Sequence, residues 1–241
     1  MFATEDEIYS AWLEIGGEYL RFDQYDFLPE DKDKRRVNLG TGRFGRQRTK
    51  QIDGICRALA LRFIECRLTG MTSLEEFHDT LVSASEILMR QQGAYELGLK
   101  HRDVAGGVKG KTTGSWGRAV GNREELMTTL FNERQLFIYS FHGSGGGHAV
   151  AFDSTQGIWF MDANFGLFHG PNVNPGNFAW WFNGFWECPS GPGGASYKSE
   201  YHRGDRYLTR FGPAGSRWQL NAIFGQPTLW RMSPIYVPPG G

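Results

Sequence analysis

The sequence predicts an α+β fold, in which a helical first half packs on an antiparallel sheet formed by the second half. Apolar residues recur at helical spacing up to about residue 131, and beyond it apolar and polar residues alternate with a period of two. The 241-residue chain contains 33 glycines, and aromatic residues make up a further 15% of it. Both concentrate in the second half, as expected for short strands joined by turns. Helices followed by strands are typical of α+β proteins.

Capping patterns mark the first predicted helices. Thr4 and Glu7 form a capping box ahead of an apolar stripe, which predicts a helix over about residues 5–20. A second capping box at Ser73 begins a helix that extends to about residue 91. The stripes on both helices are most simply core-facing surfaces.

Period-two segments predict the strands. A short helix capped by Asn122 precedes the first strand, and glycine-rich turns join the strands that follow. The predicted strands are 136–141, 148–153, 158–162, 178–186, 206–211, 218–224 and 229–237.

The central predicted helix begins near Cys56. Asp53 and Gly54 supply N-cap chemistry, and the residues that follow are apolar almost all round, which predicts a buried helix. The first turn of a helix has unpaired N–H groups and partial positive charge, which favour a thiolate over a thiol. The thiolate is the nucleophile, although a lone cysteine on such a helix is also a common inert core residue. Cys56 therefore needs reaction partners before a role can be assigned.

Composition excludes several classes of function. The net charge is zero and the isoelectric point is near 7, so no overall field attracts nucleic acid or an anionic membrane. Three cysteines without a Cys-x-x-Cys pair predict neither a disulfide scaffold nor a metal site, and we expect no cofactor. The chain has no signal-peptide pattern and no apolar run of ~20 residues, so we expect a soluble protein without a cleaved signal peptide or membrane span.

Two further residues fit a thiol mechanism. His148 follows three glycines at the start of a predicted strand, and Asp162 ends the next strand behind apolar residues, where a buried carboxylate needs a partner. A histidine can take the thiol proton and later protonate the leaving group, while an acid fixes its tautomer. The sequence thus predicts a triad of Cys56, His148 and Asp162. His142 is an alternative base and Asp153 an alternative acid.

The predicted triad requires a particular register between the two strands that carry His148 and Asp162. We predict that His148 lies directly opposite Asp162 on one face of the hairpin. This pairing needs a three-residue loop from Ser154 to Gln156, closed by Gly157 in a left-handed bulge. A shift of one residue would turn the Asp162 side chain to the other face.

The oxyanion of the reaction needs hydrogen-bond donors. The N–H of Cys56 is one candidate. The side-chain amide of Gln51, five residues earlier, is the other, and its alternative is an exposed loop glutamine.

Three segments resemble the Cys, His and Asp motifs of the papain-like YopT/AvrPphB family of bacterial effector cysteine proteases. They are Gly54–Leu59, Gly146–Ala151 and Phe160–Gly166, and the resemblance covers about residues 50–168.

The resemblance implies a papain-like fold and proteolysis of a host protein by an injected effector, a virulence factor or toxin. Cys56 would be the nucleophile, His148 the base and Asp162 the orienting acid, with Gln51 as the oxyanion amide. Before secretion, such a protein would lie in the bacterial cytoplasm. Ala163 departs from the family pattern, because proline is common at that position.

We expect a single thiol hydrolase domain over residues 1–241. Within it, 1–50 would form an N-terminal helix and a basic loop, 51–168 the catalytic core, and 169–241 aromatic, glycine-rich strands that complete the sheet. The basic loop is either a solvated segment or a surface for an acidic partner or a processing site. Most aromatic residues between Phe165 and Trp186 are expected in the core, and an exposed share would form a substrate groove.

The same triad serves other reactions. Glutamine deamidases, transglutaminases and papain-like peptidoglycan amidases also resolve a thioester intermediate, so a protein of a host or competitor cell is one substrate class among several. A non-catalytic binding module with an aromatic surface is the alternative from another class. It predicts a buried Cys56 with no histidine near it.

Overall fold

The computed structural model describes residues 2–41, 44–97, 116–118, 123–143, 146–189, 196–200 and 206–211. Within these ranges the helices are α1 Glu5–Glu14, α2 Cys56–Leu68, α3 Leu74–Val82, α4 Ser85–Glu96, α5 Arg123–Glu133, α6 Pro175–Glu187 and α7 Tyr197–Glu200, with 3₁₀ helices at Gln24–Phe27 and Lys32–Arg35. The strands are β1 Glu18–Leu20, β2 Arg36–Thr41, β3 Gln47–Gln51, β4 Trp116–Arg118, β5 Leu136–Gly143, β6 Gly146–Asp153, β7 Ile158–Asp162, β8 Gly166–Gly170 and β9 Arg206–Phe211.

An antiparallel sheet of seven strands organises the protein. Its order is β1-β8-β7-β6-β5-β9-β4, and β2 pairs with β3 in a separate hairpin. The predicted α+β class is confirmed, as are the strands predicted at 136–141, 148–153, 158–162 and 206–211.

Two apolar layers cover the two faces of the sheet. The α2 layer contains α2, α3 and α4, and Ala149 and Ala151 of β6 pack into it. The α6 layer contains α1, α5 and α6, and Val150 and Phe152 of β6 pack into it. Successive residues of β6 therefore point to opposite layers, as the period of a strand requires.

Helix α2 is the buried central helix that its sequence predicts. Most of its residues from Cys56 to Cys66 are buried. The predicted capping by Asp53 and Gly54 is wrong, because Ile55 is the N-cap residue and no side-chain cap bond is present. Gly54 instead leaves space for the side chain of Gln24. A Cβ atom there would come within 2.7 Å of Gln24 Oε1.

Two predicted helices are shorter than expected. Helix α1 keeps its Thr4 N-cap but ends at Glu14, because Gly16 adopts a φ of +86° and the chain turns into β1. The capping box of Ser73 is confirmed, but the helix that it begins ends at Val82, and α4 starts separately at Ser85.

The predicted strand at 178–186 is wrong, because this segment is helix α6. Asn174 accepts a hydrogen bond from the N–H of Asn177, and Pro175 occupies the first turn, both of which favour a helix start. The aromatic residues that suggested a strand recur at helical spacing and are core residues as expected. Trp180, on the outer side, is 53% exposed.

The helical first half also contains strands that the sequence analysis missed. The basic loop holds the β2–β3 hairpin, in which Val37 and Leu39 pack into the α2 layer while their neighbours are exposed. The alternation was hidden among the charged residues. The Asn122 cap and the strands predicted at 218–224 and 229–237 lie outside the described residues.

Candidate active site

Cys56 is the first residue of α2 and is 8% exposed. Its thiol donates to the carbonyl oxygen of Gly147 across 3.9 Å. Gly147 and Ala149 lie on the side of β6 that faces α2, and such small residues allow the helix to approach the strand closely. The start of α2 therefore brings Cys56 to the beginning of β6, next to His148.

His148 and Asp162 contact each other inside the protein. The Nε2 atom of His148 lies 3.2 Å from Oδ2 of Asp162, and both side chains are buried. Alternation along β6 and β7 places them on the α6 face, where the His148 ring packs against Phe141. Asp162 also accepts the backbone N–H of Asn164 at 2.8 Å, which holds its carboxylate in place.

The predicted register of this hairpin is wrong, although the contact forms. Asp162 pairs with Val150, so His148 is its diagonal neighbour on the same face. The turn is longer than expected because Asp153 accepts hydrogen bonds from the N–H and hydroxyl of Thr155 at 2.8 and 2.6 Å. Gly157 nevertheless has the predicted left-handed conformation, with φ +70°. Because the register is shifted by two residues, the His148 and Asp162 side chains still lie on the same face of the sheet.

The surroundings of His148 favour its charged form. Burial alone would lower the pKa of the ring, but the Asp162 carboxylate, its hydrogen bond and the neighbouring Cys56 outweigh burial and raise the pKa to about 10. Since Nε2 faces Asp162, Nδ1 is the ring nitrogen left to exchange a proton with the thiol. This arrangement places a charged imidazole ring beside the Cys56 thiol.

Three residues that the sequence analysis missed extend this site. The Tyr197 hydroxyl lies 3.2 Å from His148 Nε2 and donates to Asp162 Oδ1 at 3.1 Å. Asn164 donates to the same hydroxyl at 3.0 Å and accepts from Gln24 Nε2 at 2.6 Å.

Gln24 completes a link to α2, because its Oε1 accepts the N–H of Ile55 at 2.6 Å. No sequence signal pointed to Gln24 or Tyr197, since both lie far in the chain from Asp162. Asn164, within the Asp motif itself, was the residue that could have been considered.

The remaining sequence candidates have other partners. Gln51 is exposed, and its side-chain amide donates to the carbonyl of Lys32 at 2.5 Å rather than being held ready as an oxyanion donor. Asp153, the alternative acid, binds Nε of Arg67 at 2.6 Å. The backbone of His142 pairs with Gly147, and its side chain lies outside what the structure describes.

No group of three or more metal-ligating side chains occurs in the described part of the chain. Among the helices in those same residues, none is long and apolar enough to cross a membrane.

Comparison with solved structures finds chains of similar fold. No family model matches the chain, and no curated protein sequence matches it. The crystal structure of the Pseudomonas avirulence protein AvrPphB is similar in fold, with a TM-score of 0.40 and 14% sequence identity, over 65% of this chain and 89% of that chain.

Proposed function

We propose that the protein is a cysteine protease that cleaves a peptide bond in a target protein through a thioester intermediate. Cys56 is the nucleophile, His148 the general base and acid, and Asp162 the residue that orients the imidazole. The observation that carries this proposal is the buried His148–Asp162 pair, 3.2 Å apart, beside a thiol at the start of α2.

The reaction follows from these positions. His148 takes the proton of Cys56, and the thiolate attacks the carbonyl carbon of the scissile peptide bond. The N–H of Cys56, in a first turn with no intrahelical acceptor, stabilises the resulting oxyanion. The imidazolium then protonates the leaving amine, and the thioester forms. A water molecule deprotonated by His148 attacks the thioester and releases the acid and the free thiol.

Gln51 has no part in this proposal, because its amide already donates to the Lys32 carbonyl. Following the motif resemblance, we place the substrate in a host or competitor cell, which the protein would enter as a secreted effector. The whole chain would act as one thiol hydrolase domain. The binding-module alternative requires Cys56 to lie apart from any histidine, whereas its thiol donates to the carbonyl of Gly147, the residue before His148, and contributes to the raised pKa of the His148 ring.

Thiol reactivity tests the assignment of Cys56. The protein is treated with iodoacetamide at pH 6, and the alkylated cysteines are mapped by mass spectrometry. We expect Cys56 to react far faster than Cys66, which lies ten residues, or ~15 Å, along the same helix and away from its positive end. Burial also raises the pKa of the Cys66 thiol. Equal, slow labelling of both would contradict the proposal.

Two histidine variants make this test specific. His148→Ala should abolish the rapid labelling of Cys56. His169→Ala is the matched control, because its ring is also in the sheet but contacts Glu18 at 2.6 Å and Trp159 instead. It should leave labelling unchanged.

The bond cleaved is a separate question. Incubation with a mixture of unfolded proteins, followed by mass spectrometry of new termini, should reveal peptide cleavage that Cys56→Ser lacks. Deamidated or cross-linked glutamine side chains without new termini would favour the deamidase or transglutaminase reaction. Release of peptidoglycan stem peptides would favour the amidase.

A further inference from the structure

Tyr197 touches both members of the buried acid–base pair. Its hydroxyl donates to Oδ1 of Asp162 at 3.1 Å and lies 3.2 Å from Nε2 of His148. Its ring is stacked on the His148 ring, with centroids 5.2 Å apart and an interplanar angle of 23°. Helix α7, which carries Tyr197, packs against α6.

The hydrogen bonds around this hydroxyl determine its orientation. A hydroxyl has one proton, and here it is given to the carboxylate of Asp162. The oxygen lone pairs then face two donors, Nδ2 of Asn164 at 3.0 Å and the Nε2–H of His148. The phenol thereby accepts from the imidazolium while it donates to the counterion.

We propose that Tyr197 is a positioning residue of the active site, which stabilises the imidazolium of His148 and fixes it on Asp162. This inference rests on the proposed function, because it concerns the same thiol mechanism. The described titratable groups that face His148 are Cys56 from α2, Asp162 from β7 and Tyr197 from α7. Helix α7 is thus the third element, after α2 and β7, that contributes a titratable side chain next to the His148 ring.

The stacked ring has a second effect. It contacts Phe141, Phe165 and Trp186 as well as His148, so it joins the imidazole to the apolar α6 layer. A flat side chain in this place excludes water from the His148–Asp162 pair and strengthens their interaction.

The pH dependence of Cys56 alkylation by iodoacetamide, measured on the full chain, tests this role. Loss of the Tyr197 hydroxyl in Tyr197→Phe should lower the alkylation rate at pH 6 about tenfold, and move the half-maximal rate about one pH unit higher. Near pH 10, where a thiol ionises without help, the two proteins should react at similar rates. A merely structural defect would change the rate at every pH.

Tyr9→Phe is the matched control. It removes a buried hydroxyl from the same layer, one that donates to the carbonyl of Phe165 at 2.8 Å and does not touch His148. The pH profile should not change. An equal shift in this variant, or an unshifted profile in Tyr197→Phe, would overturn the role of Tyr197 while leaving the triad intact.

Failure of the proposed function gives a different result. If Cys56 of the unaltered protein reacts no faster than Cys66 at pH 6, the triad is wrong and the role of Tyr197 falls with it. Should Tyr197→Phe lose its cooperative thermal unfolding, Asn164→Ala takes its place, since it removes a donor to the hydroxyl and keeps the ring. A smaller shift in the same direction supports the proposal, and an unchanged profile contradicts it.

Discussion

The charge on His148 should make the stability of the protein depend on pH in a defined direction. The folded pKa of about 10 lies above the ordinary value of 6.5, so the folded protein holds a proton on this ring that the unfolded chain releases. The stabilisation is complete below about pH 6.5 and is lost as pH rises towards 10. Within that window the expected slope approaches ~1.4 kcal/mol per pH unit.

The measurement uses a background without the Cys56 thiol, so that the His148–Asp162 pair is tested alone. Free energies of unfolding are obtained from urea denaturation at pH 7, 8 and 9 for Cys56→Ala alone and combined with His148→Gln. Because Cys56 contributes to the raised pKa of His148, the difference between the two proteins should fall by up to about 2–3 kcal/mol from pH 7 to pH 9. Asp162→Asn in the same background removes the carboxylate that raises the pKa, and should abolish most of this slope.

The slope between pH 7 and pH 9 decides the result. A flat difference would mean that the pKa of the folded ring is not raised above that of the unfolded chain, whether burial lowers it or leaves it at its ordinary value. That outcome would refute the account of the His148–Asp162 pair.

Three other perturbations test the fold around the site. Asp153→Ala leaves the guanidinium of Arg67 buried without its carboxylate at 2.6 Å, and should cost about 3–5 kcal/mol in urea unfolding. Gly157→Ala combines a φ of +70° with a Cβ only 2.8 Å from Pro171, so it should lower the melting temperature more than Gly40→Ala, which has φ +86° in open space. Burial raises the pKa of Glu65 to about 7, so the stability of the folded protein should fall as pH rises from 4.5 to 7. Glu65→Gln should remove that fall, and the measurement compares the melting temperatures of both proteins at pH 5 and pH 7.

Local signals in the sequence predicted much of the fold. The capping box of Ser73 and the period-two strands at 136–141, 148–153 and 158–162 depend on neighbouring residues, and these are confirmed. The aromatic segment that forms α6 was misinterpreted because aromatic side chains favour strands, whereas the cap at Asn174 and the spacing of the buried rings were the better guide.

The site was less predictable because its partners are distant in the chain. Cys56, His148 and Asp162 could be selected by residue type and local context, but the hairpin register depends on how Asp153 closes the turn. Gln24 and Asn164 are 140 positions apart in the sequence and come into contact only in the folded chain. No local pattern contains that information.

Cys56 and His148 belong to different layers of the protein. The thiol comes from a helix packed on one face of the sheet, and the imidazole rests against the aromatic residues on the other. The two meet where β6 begins, at the rim of the sheet. The positions of Cys56 and His148 relative to each other depend on the packing of both layers. The proposed enzyme would therefore become reactive only when both layers have folded against the sheet.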